Sequence, residues 1–130
     1  FLVKIKDNFV YSRDELKQDN MRKFYKDSRI KFYIGDVRCS NSCKNSVNNC
    51  DLVFHAAAYK HVDMLQKNPI TAYINNFLAT TYLVKLSDEY LVEKMTLIST
   101  DKAVNPTNHM GLSKRFCELF LKTYSGGINN

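Results

Sequence analysis

The chain of 130 residues contains no tryptophan, two prolines and four glycines. Its first glycine is Gly35 and no GxxGxxG pattern occurs anywhere, so these residues hold no glycine-rich phosphate loop. Cys39, Cys43, Cys50 and Cys117 form no CxxC pair and have no histidine at ligand spacing. That pattern excludes a zinc motif and leaves free thiols, and no metal is expected. No run approaches ~18 apolar residues, so no membrane segment is expected in this chain. A charged-then-apolar leader is missing as well, which with the free thiols makes the cytoplasm the expected location. Lysine plus arginine number 19 against 13 for aspartate plus glutamate, a net charge of +6. The basic residues are scattered through every segment rather than gathered in a stripe, which speaks for a solvated surface and against nucleic acid as a partner.

What the sequence does have is strand-like and helix-like segments in alternation. Residues 9–11 read as a strand running into Ser12-Arg13-Asp14, where Ser12 or Asp14 can cap a helix over 15–25. A second strand over 30–34 stops at Gly35-Asp36-Val37, with Gly35 allowing a sharp exit. A weak helix through Val47 leads to a third strand over 51–55, whose last residue, His55, reads as a satisfied structural histidine. Ala56-Ala57-Ala58 follows, three small residues that let a ligand approach the backbone. Residues 69–91 predict one long helix with Ile70, Tyr73, Ile74, Phe77, Leu78, Tyr82 and Leu86 as its core-facing stripe, which the polar Asn76 interrupts. A buried strand over 95–98 precedes the last helix, 110–124, with Leu112, Phe116, Leu119 and Phe120 inward and Gly126-Gly127 ending it. Residues 1–8 show no clear partner. The alternation implies a single α/β domain over 1–130 with a parallel sheet and right-handed crossovers.

The stretch 99–114, STDKAVNPTNHMGLSK, carries the chemistry. A buried strand delivers a hydroxyl, a carboxylate and an ammonium at its C-terminal edge, where open α/β sheets bind ligands. Asn105-Pro106 forces a turn, Asn108 can cap the next helix, and Met110 and Lys114 fall on one face of it. This segment, together with YSRDELKQ and AAAYKHV, resembles the nucleotide-sugar 4,6-dehydratases of the extended short-chain dehydrogenase/reductase superfamily. The nearest branch is the one acting on UDP-N-acetylglucosamine in polysaccharide and glycan biosynthesis.

The resemblance implies a partial Rossmann-like, doubly wound, mainly parallel NAD(P)-binding domain, with NAD or NADP as cofactor. It also implies a UDP-N-acetylamino sugar as substrate and a homo-oligomer as the working form. By the same resemblance, Ser12 and Arg13 meet the adenosine ribose, and Arg13 meets a 2′-phosphate or the adenine. Asp36 bonds the adenine amino group and Val37 lies against its ring. Ala56, Ala57 and Ala58 pass the pyrophosphate and ribose, while Lys60 lies near the nicotinamide ribose or the substrate. Thr100 bonds the sugar C4 oxygen, Lys102 is the base for the C5 proton if neighbouring cations keep it neutral, and Asp101 is the acid at C6 if its pKa is raised. Lys114 holds the nicotinamide ribose, and Asn76 supports Lys114 through its backbone and a water.

Two departures qualify this. Short-chain dehydrogenases carry tyrosine four residues before the lysine, but here Met110 stands there, and a thioether moves no proton. Dehydration survives that change in one branch of the family, whereas a UDP-sugar 4-epimerase relies on the tyrosine, which counts against the epimerase as runner-up. The absent glycine loop, and the absent segment that builds most of the nucleotide-sugar site, make the chain read as the middle of a dehydratase. A non-catalytic NAD(P)- or UDP-sugar-binding module is the further alternative.

Overall fold

The structure is a computed structural model that describes residues 6–48 and 50–127. Most of the opening stretch thought to lack a partner lies outside the described residues. Contacts divide the chain into two compact units, Phe1–Asp36 and Val37–Asn130.

In the first unit, strand β1 (Asn8–Ser12) pairs in parallel with β2 (Ile30–Ile34) through helix α1 (Glu15–Tyr25), with Asn8 opposite Ile30 and Ser12 opposite Ile34. Asp14 is the cap: its carboxylate accepts from the N–H of Lys17 at 2.9 Å, while the Ser12 hydroxyl accepts from the N–H of Asp14. Gln18, buried on α1, donates to the carbonyls of Ser12 and Tyr33 and so ties the helix to the ends of both strands. Gly35 has no positive φ. It is small for a different reason, because a Cβ there would overlap the Tyr11 ring, whose hydroxyl donates to the Asp36 carbonyl at 3.1 Å.

The second unit begins with α2 (Ser40–Val47) and pairs β3 (Leu52–His55) in parallel with β4 (Lys94–Leu97). Between these strands run α3 (Val62–Lys67), α4 (Pro69–Ala72), a π-helical turn (Tyr73–Leu78) and α5 (Ala79–Glu89). After β4 come a 3-10 turn (Asp101–Ala103) and α6 (His109–Gly127). Among the described residues both strand pairs are parallel with helical crossovers, as an α/β chain of Rossmann-like order requires.

The long helix differs from expectation in its inward face. Ile70, Ile74, Leu78 and Tyr82 are exposed, and the buried residues are Ala72, Asn75, Asn76, Ala79, Thr80, Thr81, Leu83, Val84 and Ser87, with Leu86 as the one stripe member in the core. In the π turn the N–H of Ala79 bonds the carbonyl of Ile74, five residues back, so an extra residue is inserted and the face rotates. Small residues then bring the helix close to its neighbours. The last helix repeats the pattern: Phe116 and Leu119 are exposed, while Met110, Ser113, Lys114 and Cys117 face inward at three- and four-residue spacing. The bulky stripes of the two helices meet each other instead, Phe77 lying 5.7 Å from Phe116 and 6.2 Å from Phe120. Gly126 and Gly127 fall within α6 rather than after it.

Candidate functional site

The C-terminal ends of β3 and β4 gather the second unit's site residues. Lys114 is buried on α6, and its Nζ donates to the carbonyl of Ile98, one residue past β4, at 2.5 Å. Burial pulls its pKa down from the ordinary lysine value, against the pull of Cys117 and Glu118 in the other direction. Beside that strand end the Ser99 hydroxyl donates to Glu118, which Arg115 also pairs at 3.0 Å. Thr100 caps the 3-10 turn, its hydroxyl donating to Asp101 at 2.9 Å.

Asp101 and Lys102 form an exposed ion pair at 3.4 Å, the carboxylate side chain being 86% accessible. Two conditions attached to the expected acid and base find no support in this arrangement. The hydrogen bond from Thr100, then the charge of Lys102, hold the Asp101 carboxyl below its usual range, where an acid at C6 would need it raised. The charged group that pairs with Lys102 is this carboxylate.

Met110 and Lys114 share a helix face but differ in their surroundings. Met110 is buried with Leu65 and Ala72, with Tyr59 and Val62 packed against them, so the methionine is a core residue. Gly111 lets the first turn of α6 approach the 3-10 turn closely: a Cβ there would overlap the Lys102 carbonyl oxygen. Asn108 caps the helix as expected, its Oδ1 accepting from the N–H of Gly111 at 2.8 Å.

The Asn76 side chain joins the loop after β3 to α6. Its Nδ2 donates to the Tyr59 carbonyl at 3.1 Å and to Ser113 Oγ at 3.0 Å, and its Oδ1 accepts from the N–H of Tyr59 at 2.8 Å. The loop after β3 is thereby fastened to the helix that carries Lys114. The Asn76 carbonyl is taken by Thr80 Oγ1 at 2.5 Å and Cys117 Sγ at 3.2 Å. His55 is buried as expected, with Nε2 2.9 Å from Thr80 Oγ1. Burial first, and then the Lys114 charge, push its pKa down to about 4.

Around this cluster Ala56, Ala57 and Lys60 are exposed and Ala58 is half-buried, leaving open backbone past β3. Val37 keeps its carbonyl on Cys43 Sγ at 3.8 Å. In the first unit, Arg13 and Asp36 pair with each other at 3.6 Å beside Ser12. Ser113, Thr80, Gly111 and Tyr59 were missed by sequence reasoning. Only Ser113 had a signal, lying three residues after Met110 on the same face. Among the described residues no three His, Cys, Asp or Glu side chains are grouped to hold a metal, and no helix is long and apolar enough to cross a membrane.

Known proteins resemble this arrangement throughout its length. A UDP-glucose 4-epimerase of Rickettsia bellii is 44% identical over 114 residues, 88% of this chain and 33% of the relative. The chain thus spans about a third of the length of the curated relatives it matches. The crystal structure of Pen from Bacillus thuringiensis superposes with a TM-score of 0.90 at 33% identity, covering 95% of this chain and 39% of Pen. A UDP-glucose 4-epimerase from Bifidobacterium longum, in complex with NAD+ and UDP, superposes with a TM-score of 0.84 at 24% identity over 93% of this chain and 42% of its own. The model of the polysaccharide biosynthesis protein family matches residues 2–129, and the chain belongs to that family.

Proposed function

We propose that this chain supplies the cofactor and C4-chemistry segment of an NAD(P)-dependent enzyme that modifies a UDP-sugar. The observation that carries the reading is Lys114, a buried ammonium anchored on the Ile98 carbonyl beside Ser99 and Thr100 at a strand's C-terminal end. That is where a parallel α/β sheet presents ligands. Each unit by itself has residues that suit part of the cofactor: in the second, exposed Ala56 and Ala57 leave the backbone past β3 open to a phosphate or ribose, and in the first, Arg13 with Asp36 offers charge and hydrogen bonds suited to an adenosine end. When bound, NAD(P)+ accepts the hydride from C4 of the sugar. Lys114 would hold the nicotinamide ribose and, as a cation, favour loss of the C4 hydroxyl proton to water, Thr100 would orient the C4 oxygen, and Lys60 would meet the ribose or the substrate.

The Rickettsia relative's name supports 4-epimerisation, in which the C4 ketone is reduced from the other face. A second reading, 4,6-dehydration of UDP-N-acetylglucosamine, is favoured by Met110, which moves no proton, and by Asp101 and Lys102 side by side. Here Lys102, in its neutral form, would take the C5 proton, Asp101, in its protonated form, would give a proton to the departing C6 hydroxyl so that water leaves, and hydride would return to C6 as the proton returns to C5. The low Asp101 pKa makes its carboxyl a poor acid until substrate covers it.

The readings separate in one experiment. The protein, at the length that supports turnover, is incubated in deuterated water with NAD+ and either UDP-glucose or UDP-N-acetylglucosamine. A C4 epimer without deuterium at C5 supports epimerisation; a 4-keto-6-deoxy product with C5 deuterium that Lys102→Ala abolishes supports dehydration. Neither product from either sugar would sink the proposal.

A further inference from the structure

We propose that His55 and Thr80 are positioning residues for Lys114, acting through Asn76; their effect on turnover rests on the reading of Lys114 given above. His55 is 3% exposed at the end of β3 and has no part in the chemistry so far described. Its Nε2 lies 2.9 Å from Thr80 Oγ1, which lies 2.5 Å from the Asn76 carbonyl oxygen. A carbonyl oxygen has no proton, so at this distance the hydroxyl proton of Thr80 lies between the two oxygens. Thr80 has no second proton to give. It therefore accepts from His55, and the imidazole carries its proton on Nε2.

This fixed chain of donors, His55 to Thr80 to the Asn76 carbonyl, runs from the strand into the π-helical turn. At the other end of the same residue, the Asn76 amide makes four hydrogen bonds. Its Oδ1 takes the Tyr59 N–H and Asn75 Nδ2, and its Nδ2 gives to the Tyr59 carbonyl and Ser113 Oγ. An amide has two lone pairs and two hydrogens in just these positions, so its capacity is full and its orientation is set. Ser113 passes its own hydrogen to the Met110 carbonyl at 2.7 Å, and the next residue is Lys114.

The register of the π turn decides whether this works. A slip by one residue rotates a helical side chain by about 100°, which would turn the Asn76 amide away from both Tyr59 and Ser113. The Thr80 hydroxyl, locked by His55, holds the Asn76 carbonyl against that slip. Neutral imidazole also suits the place: Lys114 is near enough to oppose a charge on His55, so no second cation stands beside the ammonium.

The test uses Thr80→Val, which keeps the branched shape and loses the hydroxyl, and Thr80→Ser, which keeps the hydroxyl. In the labelled 130-residue chain, nitrogen NMR should show His55 protonated on Nε2, with slow solvent exchange at the Asn76 side-chain amide and the Lys114 ammonium. Thr80→Val should lose that protection and Thr80→Ser should retain it. In the protein at the length that supports turnover, Thr80→Val should lower kcat by about tenfold or more with KM for NAD+ and UDP-sugar within about threefold, and Thr80→Ser should restore it. An Nδ1-protonated His55 in the wild type would overturn the proposal, as would unchanged protection in a folded Thr80→Val. Equal losses of kcat and melting temperature in both variants would reduce the pair to a structural role and overturn it too. If no UDP-sugar is turned over at all, the reading of function fails, while the exchange measurements still decide the positioning.

Discussion

Gly111 lies against the carbonyl oxygen of Lys102 so closely that no side chain fits between them. This contact sets the first turn of α6 on the 3-10 turn after β4, and it lets one segment present Lys102 while burying Lys114. Replacing Gly111 with alanine should displace the backbone of Lys102, since that atom is no flexible side-chain end. We expect a loss of about 1–3 kcal/mol in urea unfolding, together with reduced turnover. Stability equal to or above wild type would refute the contact.

Met110→Tyr asks whether the missing phenol matters. The methionine is buried with Leu65 and Ala72, so the larger ring should cost about 1–3 kcal/mol by overpacking and brings a hydroxyl that needs a partner. The C4 chemistry should persist, because the groups proposed for it lie on other residues. Activity that appears only in the tyrosine variant would mean that the wild-type segment is catalytically dead.

Acid should act through His55. Its folded pKa of about 4 is below the ordinary 6.5, so between these values the unfolded chain binds the proton and the folded one does not. The sign follows: stability is retained above the unfolded value and lost as pH falls towards the folded one, by about 3 kcal/mol in all. His55→Gln, which can still donate to Thr80, removes this loss. Unfolding curves of the two proteins between about pH 7 and pH 4 should therefore converge; parallel pH dependence would contradict the assignment.

Leu91, just after the C-cap of α5, has φ 55 and is 87% exposed, a left-handed position that glycine takes without strain. Leu91→Gly should raise stability by about 0.5–1 kcal/mol once the entropy of glycine is allowed for. A lower midpoint in urea would show that the leucine side chain packs where its exposure says it does not.

The 130-residue chain by itself should hold NAD+ and NADP+ only weakly, on the order of millimolar, or about 4 kcal/mol. A dinucleotide pyrophosphate is held by backbone N–H groups of a glycine-rich loop, and the first glycine here is Gly35. Calorimetric titration decides this, and micromolar binding would show another phosphate site in these residues.

Much of this molecule was legible before its structure. Strand-forming runs, the cap at Asp14 or Asn108 and the Ser-Thr-Asp-Lys strand end follow from local propensity and hydrogen-bonding capacity, and each appears where expected within a residue or two. The inward faces of the two long helices were not legible. A stripe such as Ile70, Ile74 and Leu78 promises a core, yet Ala79, Thr80, Ser113 and Cys117 are what lie buried. Periodicity reports where apolar side chains recur, and it cannot register the extra residue of a π turn.

The charges of the site divide in the same way. Sequence determined that a lysine, an aspartate and a threonine would meet at one strand end, because covalent spacing and helix geometry put them there. Only the tertiary structure decided which of them is buried. Lys114 is taken out of water against the Ile98 carbonyl, while Asp101 and Lys102 stay in it as an exposed pair. Asn76, Tyr59 and Ser113 are joined across 17 and 37 residues of chain, and hydrogen bonds of that span depend on how elements pack, which no local pattern encodes.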